Sequence, residues 1–119
     1  MSNKQTGSKG EQLAASYLIE KGFVLLDTNW RFHHLELDIV ALKDDFLVVI
    51  EVKSRTSLDS GEPHEWVSRK KQLHLIHATN AYLLYHQLQY EIRFDIVAIL
   101  LTSEGPVFSH FEDAFSAIG

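Results

Sequence analysis

Asp38, Glu51 and Lys53 are the residues whose types and spacing could do chemistry. They sit in the stretch 36–53, which reads E-L-D-I-V-A-L-K-D-D-F-L-V-V-I-E-V-K. Two runs rich in Val, Ile and Leu flank Asp44–Asp45, the pattern of two strands joined by a tight turn. A hairpin symmetric about that turn sets Lys43 against Phe46, Asp38 against Glu51 and Glu36 against Lys53. Side chains alternate along a strand, so Glu36, Asp38 and Val40 are expected on one face, together with Val49, Glu51 and Lys53. Directly opposed residues have Cβ atoms about 4.5–5.5 Å apart, and like charges in that position destabilise a sheet. A divalent cation between Asp38 and Glu51 removes the conflict. Hard ions such as Mg²⁺ or Mn²⁺ take carboxylate oxygens and keep several waters. Such an ion supplies an activated water for phosphodiester hydrolysis, with a nearby lysine orienting it or offsetting charge. The same residues also suit a plain ion-pair ladder in which Glu51 pairs with Lys53 or Arg55.

The elements around the hairpin must hold these groups in place. Thr6 or Ser8 is expected to cap a helix that runs to Lys21 and stops at Gly22, with residues 1–8 loose before it. Glu11, Ala14, Ala15 and Leu18 follow the spacing of one helix face, so Glu11 borders the apolar stripe. That position suits a first-turn acid favoured by the helix dipole, or a third acid reaching the hairpin's charged face. Residues 23–32 read as the first strand. Arg31 is placed to touch a phosphate or to pair with a carboxylate such as Asp95. His33 and His34 are adjacent and read as a solvated pair in a turn, because neighbours on a strand point to opposite faces.

After the hairpin, residues 54–63 form a polar loop with Gly and Pro, and Arg55 and Ser57 within it are candidate phosphate contacts. A second helix is expected from Pro63 to Gln87. Its early turns hold the one concentrated basic run, Ser68-Arg69-Lys70-Lys71, of which Lys70 and Lys71 are candidate backbone contacts. His74 and His77 read as surface histidines, since no acid follows them in a zinc-site pattern. Residues 90–101 are a long core strand, parallel to 46–53 through a right-handed crossover. Asp95 in that strand reads as structural and paired with an arginine. Val107–Phe111 adds an edge strand, and the tail after it is weakly helical.

The whole chain of 119 residues suits one domain, and 45% hydrophobic residues suffice for one core. No cysteine is present, which excludes disulfides, thiolate metal sites and cysteine nucleophiles and fits a reducing cytoplasm. The polar start M-S-N-K-Q-T-G-S-K-G is unlike a signal peptide, and no apolar run approaches membrane-spanning length. The formal net charge of −5 argues against a tight non-specific DNA binder, whose footprint is usually basic.

Asp38, twelve residues, then Glu51-Val52-Lys53 is similar to the D-x(n)-E-x-K signature of restriction-endonuclease-like nucleases. Its setting is more specific: Gly10-Glu11-x-x-Ala14, Lys21-Gly22-Phe23, Asn29-Trp30-Arg31, Glu36-Leu37-Asp38-Ile39-Val40-Ala41, Glu51-Val52-Lys53-Ser54-Arg55, Gly61-x-Pro63 and Arg93-Phe94-Asp95-Ile96-Val97-Ala98. That order resembles the YraN-like family of small bacterial proteins over residues 7 to 101. The resemblance implies a three-layer α/β domain with a mixed central sheet, in the order helix-strand-strand-strand-helix-strand, shared with Holliday-junction resolvases. It implies a Mg²⁺- or Mn²⁺-dependent endonuclease acting on DNA, with branched or repair intermediates as substrates. Asp38 and Glu51 then ligate the metal, and Lys53 and Glu11 complete the catalytic set. A homodimer presenting two sites follows from junction resolution, with Tyr82, Tyr85 and Tyr90 as candidate contact residues. The alternative is a non-catalytic nucleic-acid-binding or protein-interaction module that keeps the fold.

Overall fold

The computed structural model describes residues 2–55 and 63–118, with side chains from residue 9 to 55 and from 65 onward. Five strands and two long helices follow one another as α1 (Ser2–Glu20), β1 (Val24–Phe32), β2 (Leu35–Lys43), β3 (Phe46–Arg55), α2 (Arg69–His86), β4 (Glu91–Thr102) and β5 (Gly105–Phe115). One mixed sheet has the order β1-β2-β3-β4-β5. Only β3 and β4 are parallel, and α2 is their crossover.

β3 shows why the sheet has helices on both sides. Leu47 and Val49 enter one core with Leu75, Ala78 and Tyr82 of α2. Val48 and Ile50 enter a second core with Ala14 and Leu18 of α1. All four strand residues are at most 1% exposed. A strand covered on both faces needs an unbroken apolar run, and L-V-V-I supplies it. α1 stops where Gly22 takes φ +94, with its N–H and that of Phe23 closing on Ile19 and Leu18 carbonyls. Asp44 takes φ 54 in the β2–β3 turn, a conformation aspartate tolerates.

The hairpin register runs Lys43↔Phe46 to Ile39↔Ile50, as the symmetric count requires, and ends there. Beyond Ile39, β2 leaves β3 and stays with β1, where Trp30 opposes Leu37 and Arg31 opposes Glu36. Strict alternation also breaks. Leu37 and Val40 both pack against α2, whereas Ile39 and Ala41 pack against α1. Glu36, Asp38 and Val40 therefore do not share a face, and Glu36 faces Arg31 at 3.7 Å instead of Lys53. The neighbouring strand β1 is irregular at the same level. Asn29 takes φ 54 at the level of Asp38, while the β1–β2 pairing keeps its register on either side, Thr28↔Ile39 and Trp30↔Leu37.

Three further expectations change. α1 begins at Ser2, ahead of the expected cap at Thr6 or Ser8. α2 begins at Arg69, because the Ser68 hydroxyl caps it by accepting from the Lys71 N–H at 3.1 Å; Pro63 opens a separate short 3₁₀ turn, Pro63–Trp66. β5 runs on to Phe115 instead of ending at residue 111 before a helical tail. Phe115 pairs with Phe94 across the strands and stacks on it at 4.9 Å. Asp95 is fully buried and pairs with an arginine as expected, but with Arg93 and not Arg31. Among the described residues, no helix is long and apolar enough to cross a membrane.

Candidate active site

Glu51 ends the apolar run of β3 and is 6% exposed. Its Oε2 lies 3.6 Å from Lys53 Nζ, two residues along the strand, and 3.9 Å from Lys71 Nζ on α2. Its Oε1 is buried and has no hydrogen-bond partner among the described residues. A carboxylate held half-satisfied in a covered position is costly unless a donor or a cation reaches its second oxygen.

Asp38 sits beside it, in the gap that opens where β2 parts from β3. There its Oδ2 accepts the Val52 N–H at 3.0 Å, doing the work of the missing ladder partner. Burial, and then the charge of Glu51, push the Asp38 carboxyl up to about 7, against the pull of the Val52 hydrogen bond and Lys71. Glu11 arrives from the other side of the sheet on α1. Its carboxyl is also raised, by burial first and by Asp38 second, while a hydrogen bond from Asn29 pulls it down. Next to it, Gly10 lies close on β3: a Cβ there would meet the Ser54 hydroxyl, which would have to turn away.

The structure thus brings Asp38, Glu51, Lys53 and Glu11 into one neighbourhood. The other sequence candidates divide. Lys71 joins the cluster as an ion partner of Glu51. Lys70 is exposed one residue earlier on α2, and Arg55 is exposed at the end of β3. Ser57 lies outside the described residues. Asn29 and the Val52 N–H were not anticipated. A polar Asn within a strand-like run, a residue that favours φ > 0, is the one signal that pointed to the first.

Among the described residues, no three His, Asp or Glu side chains converge as a closed metal cage. Asp38 and Glu51 instead offer a two-carboxylate seat with an unpartnered oxygen and lysines to one side. Such a set fits a hard cation that retains waters, because Mg²⁺ commonly rests on one or two carboxylates plus substrate oxygens.

A family model described as "Uncharacterised protein family UPF0102" matches residues 10–99, the span that carries the whole cluster. The chain belongs to the UPF0102 family. A UPF0102 protein of Flavobacterium psychrophilum is 43% identical over 109 residues, covering 92% of each chain. One of Parabacteroides distasonis is 41% identical over 111 residues, covering 93% of this chain and 92% of its own. One of Caldicellulosiruptor bescii is 41% identical over 119 residues, with 97% of this chain and all of its own covered. The UPF0102 match contains Gly10, Glu11, Asn29, Asp38, Glu51 and Lys53, so the site belongs to the part of the chain shared with the family model.

The strained carboxylates make a testable statement about stability without metal. An acid whose folded pKa is raised binds its proton more tightly when folded. Asp38 therefore costs stability as the pH climbs from 3.8 toward 7, and the cost is full above that. Asp38→Asn in EDTA is expected to be at least as stable as the parent at pH 8, with the advantage shrinking toward pH 4. Denaturant melts across that range check it; an Asn variant much weaker at pH 8 means that the lysines already satisfy the pair.

Proposed function

We propose that this chain is a metal-dependent endonuclease hydrolysing phosphodiester bonds in DNA, on a restriction-endonuclease-like fold. The observation that carries the reading is the buried Glu51, with Oε1 unpartnered and Oε2 between two ammonium groups, beside an Asp38 pushed up to about 7. Neighbouring carboxylates in a covered position are unfavourable alone and favourable around a divalent cation. Asp38 and Glu51 would hold Mg²⁺ or Mn²⁺, which when bound polarises the phosphate and lowers the pKa of water. Lys53, with Nζ 3.6 Å from Glu51 Oε2, offsets the charge that builds on the phosphate in the transition state. Glu11 stands on the α1 side of Asp38, placed to accept a proton from water entering there. Lys71 reaches Glu51 at 3.9 Å, and the exposed Lys70 and Arg55 on the same two elements suit phosphate oxygens of the DNA backbone.

A non-catalytic binding module that keeps the fold is the rival, and the net charge of −5 is the observation in its favour. The deciding experiment incubates purified protein with Mg²⁺ or Mn²⁺ and linear duplex, single strand, flap and four-way-junction DNA. Cutting that needs the metal supports the nuclease. No cutting together with no metal binding supports the module.

A homodimer remains part of the proposal, with a revised surface. Tyr82 is 2% exposed, its hydroxyl donated to Asp27 at 2.8 Å, so it belongs to the core. Tyr85 is 76% and Leu84 79% exposed at the end of α2, and Tyr90 is 40% exposed just beyond. Sedimentation at high micromolar concentration is expected to show a dimer that Leu84→Glu with Tyr85→Glu dissociates. A monomer throughout removes the dimer and leaves the cleavage chemistry standing.

A further inference from the structure

Four of the seven histidines, His33, His34, His74 and His77, gather at one corner of the molecule. His33 and His34 form the turn between β1 and β2, and His74 and His77 lie on α2. Within each pair, two imidazoles do not converge easily on one ion. Adjacent residues diverge, and no acid completes the helical pair. The fold crosses the pairs. Phe32 stands between them, its ring centre 4.4 Å from that of His33 and 6.5 Å from that of His77. His34 and His74 meet directly, ring centres 6.2 Å apart and planes at 87°. The backbone of His33, at φ 56, makes the tight turn from which His34 reaches the helix.

We propose that His34 and His74 form a site for a borderline transition-metal ion such as Zn²⁺ or Ni²⁺, clamping the β1–β2 turn to α2. Imidazole nitrogens suit such ions, whereas carboxylates and water suit Mg²⁺ and Mn²⁺. A metal–nitrogen bond of about 2.0–2.1 Å sets each ring centre roughly 3 Å from the ion. Two rings sharing one ion at a tetrahedral angle therefore stand roughly 5 Å apart, so the 6.2 Å between these ring centres closes as His34 turns inward. His34 is exposed and free to turn toward the ion, while His74 is half-buried against the helix's neighbours. Among the described residues no third ligand converges, so the other positions are left to water and the site is open and exchangeable. It is chemically distinct from the carboxylate seat and independent of whether that seat cleaves DNA. Because His74 lies one turn beyond Lys71 on α2, an ion there would also add positive charge near the proposed phosphate path.

The test titrates Ni²⁺ or Zn²⁺ into untagged protein and follows both binding heat and melting temperature. The expected result is a melting temperature that rises with ion concentration. Affinity should fall at least tenfold in His34→Ala and in His74→Ala, and hold in Glu51→Gln. Excess Mg²⁺ should not compete. His34 lies in an exposed turn, so His34→Ala carries the test even where His74→Ala destabilises the helix. Absence of binding, binding indifferent to both histidine variants, or binding lost in Glu51→Gln would each overturn the proposal.

Discussion

Lys53→Ala is expected to abolish DNA cleavage while metal binding survives, and Glu51→Ala is expected to lose both. The two residues are close enough to touch, with 3.6 Å between Lys53 Nζ and Glu51 Oε2, yet their chemistry divides cleanly. An ammonium brings no ligand to a hard cation, so its removal acts on the rate through lost charge stabilisation. Loss of one such preorganised contact typically costs about 10²–10³-fold in turnover. A carboxylate does bring a ligand, so its removal acts on metal affinity first and on rate as a consequence. Calorimetry with Mn²⁺ and single-turnover cleavage measure the two effects separately. Lys71 supplies an internal control. It also approaches Glu51, from α2 and at 3.9 Å, so Lys71→Ala should weaken substrate binding more than turnover. Cleavage that persists in both Lys53→Ala and Glu51→Ala would place the activity elsewhere, and equal metal affinity in Glu51→Ala would remove the carboxylate seat.

The hairpin was legible because period-two alternation and a two-residue turn leave little freedom. Once Lys43 faces Phe46, the pairing as far as Ile39↔Ile50 follows by counting. The same counting failed at Glu36 for a local reason. Asn29 adopts a positive φ in the neighbouring strand at the level where β2 departs from β3. A period measured on one strand does not carry information about an irregularity in another. The same departure frees the Val52 N–H for Asp38 and opens room for Glu11, so the misread position is the candidate site itself. Functional sites are where local rules are expected to break. Lys71 was visible as a positive charge but not as a partner of Glu51, since that depends on where Ser68 starts α2. β5 was read as too short because an edge strand alternates weakly: its Glu112 and Asp113 resemble loop residues until Asp95 is seen beneath them.

Asp95→Ala is expected to be the most destabilising single substitution outside the apolar core, at about 3–5 kcal/mol. Asp95 is 0% exposed and is nevertheless held as a carboxylate. Arg93 donates to both of its oxygens, Nε and Nη2 each at 2.9 Å; His110 Nε2 lies 2.7 Å from Oδ2, and the Asp113 N–H donates to Oδ1 at 3.0 Å. Burial alone would raise its pKa, but the bonds from His110, Arg93 and Asp113 outweigh that and leave it below the ordinary carboxylate range. The arrangement is structural. Asp113 has φ 52, and the β4–β5 register shifts between Phe94 and Ile96, so the carboxylate supplies the partner that the broken ladder lacks. Truncation to Ala leaves the Arg93 guanidinium, which is 12% exposed, with Glu112 at 4.0 Å and the rings of Phe23 and Phe46 but without its bidentate carboxylate. It also takes the acceptor from the part-buried Asp113 N–H. A carboxyl with a lowered folded pKa contributes its full stability above its unfolded value, 3.8 here, and loses it as the pH falls through the folded one. The gap between parent and Asp95→Ala should therefore be full at pH 7 and narrow in strong acid. Asp95→Asn, which keeps an acceptor but not the charge, should fall between the two. Urea melts at pH 7 and pH 3 decide the matter, and a loss under about 1 kcal/mol at pH 7 would mean that Arg93 and β5 are held by their aromatic neighbours instead.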